Sequence, residues 1–393
     1  MPLFLINSVA LRVGGGLAAA RSLLSRLPHL DARSRYIVLT SQAAGLESLC
    51  GSCAGCHTYP WEHWSRLRQF LFNVITVPRL CHHYKADALF SLGNFPSLRT
   101  GCPQLVRFAN ARYLYPKVTL SLSSSIWQKL RFLIERRYLS ASLPSCTIIV
   151  QTHTMKNRLQ AHFALNRANI LVVPNAFDPS RYTDQLPKYF VEIEPRLNNR
   201  LPLLCCARAY AHKNLHVFTK VADILEQRSP NTFILITTFA AADSPTAKSL
   251  YRQIPNASEY YSGPIVNLGP IAPEHSLVLH RRAWACILPT LLESFSGTYL
   301  EAMATARPIL TSDRDFAREV CGNAALYFDP LDPCSIARAV MALYESPELW
   351  KSLSRAAEHR HRSYVRTWDD VTRDIVTILH RLAARMHDRA SGF

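Results

Sequence analysis

No run in the 393 residues approaches the ~18 uninterrupted apolar residues of a membrane-spanning helix, so no span is predicted. A secretory leader is not predicted either. The opening MPLFLINSVAL carries no basic flank, and Gly14, Gly15 and Gly16 follow where a cleavage site would lie. Charged residues are only 19% of the chain, against 48% hydrophobic, and mean hydropathy is −0.01. Such balance excludes disordered, collagen-like and coiled-coil chains. Two or three domains are expected for this length.

Negative charge is scarce in one half only. Residues 1–180 hold 6 acidic and 20 basic side chains, whereas residues 181–393 hold 22 and 25. The net charge of +17 is therefore lopsided, which points to an anionic partner, nucleic acid or a phospholipid surface. No nucleic-acid motif is present, and the cations interleave with apolar stripes rather than forming a stacking platform. Nucleic acid is thus not expected. Two segments fit a membrane surface. In residues 61–74, Trp61, Trp64, Leu67, Leu71 and Val74 recur at helical spacing beside Arg66 and Arg68. In residues 126–139, Ile126, Leu130, Leu133 and Ile134 lie among Lys129, Arg131, Arg136 and Arg137.

The eleven cysteines, an odd number without a leader, read as reduced thiols. Cys50, Cys53, Cys56 and His57 form the run CGSCAGCH, whose spacing also suits haem attachment or a zinc pair. Haem attachment needs an exported chain, and the only other ligands nearby are Cys81 with His82 or His83. A loop of free thiols is expected.

Short apolar runs alternate with helical periods, first over residues 3–173 and again over 203–344. This is the pattern of parallel sheets covered on both faces. The break falls at Pro174-Asn175-Ala176-Phe177-Asp178-Pro179, followed by a polar stretch to Arg200 that reads as a linker. The expected architecture is α/β, with one domain at 1–178 and a second at 179–367. A final helix at about 368–386 returns to the first domain.

Three loops after strands carry the candidate chemistry. Gly14, Gly15 and Gly16 follow the first strand and open a helix, where backbone N–H groups meet anions. They do not form GxGxxG. Arg208 and Lys213 flank the loop ARAYAHKN, suited to a diphosphate. The run PTLLESFSGTYLEAM places Glu293 before a helix and Glu301 inside it, with Ser294 or Ser296 as N-cap and Gly297 next. Carboxylates accept hydrogen bonds from sugar and ribose hydroxyls. Glu301 in an apolar helix needs a partner, be it a ligand or Arg307.

In this order the loops resemble the retaining glycosyltransferases of family 4. Glu293 and Glu301 are similar to that family's paired glutamates with seven residues between them, Arg208 and Lys213 to its arginine–lysine pair, and Gly14–Gly16 to its glycine loop. VVPNAFD, ADALFSLGNF and IIVQT add to the likeness. Ser296 and Ala306 stand where the family usually has glycine, and Arg107–Arg112 lacks its histidine. The resemblance implies a GT-B fold, two Rossmann-like doubly wound domains facing across a cleft.

It also implies sugar transfer from a nucleotide-sugar donor to a glycan or lipid-linked acceptor, with retention and without cofactor or metal. Arg208 and Lys213 would stabilise the leaving diphosphate, Glu293 would hold the sugar and Glu301 the ribose. Backbone about Ile271 would meet the base, while Asn110 and Arg112 are acceptor-side candidates. The expected setting is cytoplasmic, peripheral on an anionic membrane through 61–74, 126–139 or both. A non-catalytic nucleotide-sugar-binding protein and a GT-B isomerase or phosphorylase are the alternatives.

Overall fold

Seven short runs, most of them apolar on both faces, pair side by side into a parallel sheet in the first part of the chain. They are β1 (Leu3–Asn7), β2 (Arg35–Ser41), β3 (Gly55–Tyr59), β4 (Ala88–Ser91), β5 (Gln104–Arg107), β6 (Thr147–Val150) and β7 (Ile170–Val172). Their order is β3-β2-β1-β4-β5-β6-β7, and every pairing is parallel. β1, β4 and β5 are buried along their whole length, so both faces must be covered by helices. The computed structural model describes residues 1–12, 14–194, 200–254, 263–364 and 366–390.

β3 was not expected. It lies in the cysteine run that reads as a loop, and it pairs from Gly55 to Tyr59 with Ile37 to Ser41 of β2. As an edge strand it needs no continuous apolar run, and its burial merely alternates. Cys56 and His57 are therefore strand residues, while buried Cys50 donates its thiol to the Leu46 carbonyl at 3.3 Å.

The helix Trp368–Ala390 packs on this first sheet's unit. Trp368, Val371, Ile375, Leu379 and Leu382 recur every three or four residues and join Phe4, Leu23, Leu24 and Tyr36 in one core. Each such side chain contributes about 1.5–3 kcal/mol on burial.

The second sheet repeats the scheme with β8 (Leu201–Cys205), β9 (Phe233–Thr237), β10 (Ile265–Asn267), β11 (Ala285–Leu288), β12 (Ile309–Ser312) and β13 (Ala325–Phe328). Its order is β10-β9-β8-β11-β12-β13, again parallel throughout. Two doubly wound α/β units of this kind are the components of the GT-B fold.

The first unit comprises residues 1–114, 123–176 and 366–393, and the second 115–122 and 177–365. Division at a single point thus misses one exchange. Tyr115–Leu122 groups with the second unit, where the Tyr115 hydroxyl donates to Asp315 Oδ1 at 2.7 Å. The polar stretch after Pro179 is only partly a linker. Lys188–Ile193 is helical, and Phe190 is buried against Leu204, Ile234 and Ile236. Residues 195–199 of that stretch lie outside the described residues.

Residues 61–74 do not form one amphipathic helix. A single turn at Trp61–His63 precedes a helix that starts at Arg66, capped by Ser65, and turns π-helical over Phe72–Thr76. Trp61 and Trp64 pack on Phe72 and the core instead of facing solvent, because the break at Ser65 shifts the phase of the stripe. Leu67 and Leu71 remain exposed. In the helix Ile126–Ser142 the stripe is exposed as a whole, including Ile126, Leu130, Leu133 and Ile134. Among the described residues, no helix is long and apolar enough to cross a membrane.

Candidate functional site

The second sheet reverses its winding between β8 and β11, and such a reversal opens a crevice at the strands' carboxyl ends. The loop leaving β8 carries Arg208 and Lys213, and the loop leaving β11 carries Glu293. Leu291 N–H donates to the His212 carbonyl at 2.8 Å, tying the two loops together. Lys213 Nζ then donates to Glu293 Oε2, with both side chains about six-sevenths buried. Burial pushes the Glu293 carboxyl up, but the Lys213 charge and hydrogen bond and the Ser294 N–H outweigh it, and the net shift is downward. Burial, aided by the Lys213 cation, pushes His212 down to about 4, so its ring is neutral at neutral pH.

Arg208 turns the other way, with its guanidinium half exposed and its Nη1 3.4 Å from Asp243 Oδ1. Asp243 is the organiser of this loop. Its Oδ2 accepts from the Ala209 and Ala240 N–H groups, both at 3.1 Å. The sequence offers no local signal for its hold on the β8 loop, because Asp243 lies in a turn after β9, more than thirty residues from Arg208 and Ala209.

Glu301 faces the helix Ser276–Arg282. Its Oε1 accepts from Ser276 Oγ at 2.8 Å and from the Tyr182 hydroxyl at 3.1 Å, and His280 Nδ1 is 3.9 Å from Oε2. These three residues were not singled out from sequence. Arg307, the alternative partner, instead donates to the Arg281 carbonyl at 2.6 Å.

Ser296 holds the N-cap position of the helix Gly297–Ala304 but makes no side-chain cap bond, so neither serine caps as expected. A Cβ at Gly297 would meet nothing within 4 Å, leaving the first turn open to an approaching group. Thr298 Oγ1 donates to the Cys206 carbonyl at 3.1 Å, docking that helix on the β8 loop. Ile271 follows β10 and packs, half-buried, on the core beside Leu268.

The remaining candidates lie in the first unit. Gly14 has φ +74° at the start of the helix Gly14–Leu24, and a Cβ at Gly14 or Gly15 would meet open space. Gly16 is close-packed, 3.2 Å from Leu11 at its Cβ position. Asn110 Oδ1 accepts from the Arg112 N–H at 3.2 Å, shaping the turn after β5. Among the described residues, no group of three or more His, Cys, Asp or Glu is arranged to hold a metal.

Residues 200–346, which carry this entire crevice, match the family described as Glycosyl transferases group 1. By that match this stretch of the chain is similar to the group 1 glycosyl transferases. The chain is 24% identical over 248 residues to the O-antigen chain mannosyltransferase RfbU of Salmonella typhimurium, covering 62% of this chain and 61% of that enzyme. It thus spans under two thirds of that relative's length. Its fold is similar to sucrose-phosphate synthase from Thermosynechococcus elongatus, with TM-score 0.72 and 16% identity over 98% of this chain and 100% of that one. It is also similar to Anabaena HepE, solved in complex with UDP-glucose, with TM-score 0.70 and 15% identity over 97% and 100%. The GT-B expectation is met.

Proposed function

We propose that this chain is a retaining glycosyltransferase. It moves a sugar from a nucleoside diphosphate donor to a glycan or lipid-linked acceptor in polysaccharide or glycolipid assembly. The observation that carries the reading is the Lys213–Glu293 pair across the two loops of the sheet's reversal point. The family match over 200–346 and the names of its relatives support it.

Breaking the donor's glycosidic bond leaves a diphosphate whose charge grows toward the transition state. Lys213 sits where that charge develops, and half-exposed Arg208 is free to swing toward it. A diphosphate competing for Lys213 releases Glu293, whose oxygens then accept from sugar hydroxyls. Glu301, with Oε1 held by Ser276 and Tyr182, keeps Oε2 for a ribose hydroxyl. The open turn at Gly297 and the loop at Ile271 complete the donor side, and Gly14–Gly16, Asn110 and Arg112 serve the first unit's side. The cations Lys213 and Arg208 do the work that a metal does elsewhere, so none is required in this reading.

We also propose a cytoplasmic, membrane-peripheral location, with the exposed face of Ile126–Ser142 resting on anionic lipid. Mass spectrometry of products from a nucleotide-sugar panel, incubated with bacterial membranes, tests the transferase reading. A sugar-extended acceptor is expected. Isomerised sugar, or nucleotide binding without turnover, would overturn it in favour of an isomerase or a binding protein.

A further inference from the structure

Two thiols of the run CGSCAGCH meet in one tight turn. The Cys53 N–H donates to the Cys50 carbonyl at 2.9 Å, and Gly51 between them has φ −57° and ψ −29°, the values of the first corner of a type I turn. Such a turn brings its end Cα atoms within about 7 Å of each other. A disulfide spans about 4.4–6.8 Å between Cα atoms, so the backbone already has the reach of an S–S bond. The turn is pinned on both sides. Before it, the Leu49 N–H donates to the Leu46 carbonyl at 3.1 Å, and after it the Ala54 N–H donates to the Tyr36 carbonyl at 2.8 Å.

The two sulfurs are not equivalent. Cys50 is buried, and its thiol donates to the Leu46 carbonyl at 3.3 Å, which favours keeping its proton. Cys53 is half-buried beside exposed Gly51 and Ser52, where a small solute reaches it. Hydrogen bonding with the Cys50 thiol holds Cys53 below its ordinary range despite partial burial, so Cys53 is the readier thiolate. A metal does not suit the same run. His57 is engaged by the Tyr84 hydroxyl, 2.8 Å from its Nε2, and Cys56 is exposed one place before it on β3. Alternation along the strand sends those two side chains to opposite faces. What remains is the chemistry of a thiol pair.

We infer that Cys50 and Cys53 form a reversible dithiol–disulfide site that exchanges with small disulfides of the glutathione class. The Cys53 thiolate attacks one sulfur of glutathione disulfide. That S–S bond breaks, and one glutathione leaves as a thiolate and takes up the proton that Cys53 released. The Cys50 sulfur then attacks the Cys53 sulfur of the mixed disulfide, and its proton goes to the second departing glutathione. Both cysteines are oxidised, and one glutathione disulfide is reduced to two thiols. The new bond replaces the hydrogen bond from Cys50 to Leu46. Both residues share a core with Ala19, Ala20 and Leu23, so the bond forms against the helix Gly14–Leu24. Neither cysteine belongs to the proposed donor site, and the exchange stands or falls apart from the transferase reading.

The test equilibrates the full-length protein in glutathione buffers of graded oxidation, followed by acid quenching, alkylation and peptide mapping by mass spectrometry. A Cys50–Cys53 bond should accumulate as glutathione disulfide rises and disappear on return to reduced glutathione. At neutral pH, iodoacetamide should modify Cys53 about tenfold faster than exposed Cys334. Cys50→Ser should halt at a glutathione adduct on Cys53. Cys53→Ser should leave Cys50 a free thiol, and this half-buried position carries the test if Cys50→Ser does not fold. Cys56→Ser should oxidise as the wild type does. Mixed adducts alone in the wild type, a bond joining Cys53 to Cys56 instead of Cys50, or equal alkylation of Cys53 and Cys334 would overturn the inference.

Discussion

Lys213 donates to Glu293 across the loops that leave β8 and β11, joining the two sides of the second sheet's reversal point. Both groups are largely out of water, so each needs the other while the site is empty. Lys213→Ala should therefore lose about 3–5 kcal/mol of stability, and Lys213→Ala/Glu293→Ala should recover most of it. Chemical denaturation of both variants checks this; equal losses would mean the pair is not coupled. In transfer assays Glu293→Gln should keep nucleoside diphosphate affinity while kcat falls about 100-fold.

Ala306 has φ +52°, a left-handed conformation in which a Cβ is strained. It stands where the resembled family usually has glycine, and the backbone turn explains that preference. Ala306→Gly should stabilise the chain by about 1 kcal/mol, read as a rise in Tm at unchanged activity.

Asp31 fastens the C-terminal helix to the first unit. Its Oδ2 accepts from the Tyr36 hydroxyl at 2.7 Å and lies 3.0 Å from His380 Nε2. Burial alone would raise this carboxyl, but hydrogen bonds with Ser34, Tyr36 and His380 bring it below its ordinary 3.8. A group lowered on folding stabilises above its unfolded value, and that stabilisation is lost as pH falls through the folded one. Wild-type Tm should thus fall more steeply than that of Asp31→Asn between about pH 5 and about pH 3. At neutral pH the variant should be about 1–3 kcal/mol less stable. Parallel slopes in thermal scans would contradict the assignment.

Trp127 and Leu133 are 75% and 53% exposed, whereas Phe132 on the same helix is 0%. Trp127→Ser/Leu133→Ser should leave Tm unchanged and reduce co-sedimentation with anionic liposomes. Phe132→Ala should cost about 3–5 kcal/mol. Wild-type binding should weaken at high salt as surface charge is screened. Equal binding to neutral vesicles would count against the docking face.

The amino-acid sequence by itself determined the two α/β units, most of their strands, and the loops bearing Arg208, Lys213 and Glu293. Those features are encoded locally: a fully apolar run is a buried strand wherever it pairs, and a loop motif travels with its strand. Edge strand β3 and the inward turn of Trp61 and Trp64 were decided by tertiary structure, since a half-buried edge and a helix phase take their meaning from the surface they meet. Asp243, Tyr182, Ser276 and His280 became visible only in the fold, because each meets its partner across a long separation in the chain.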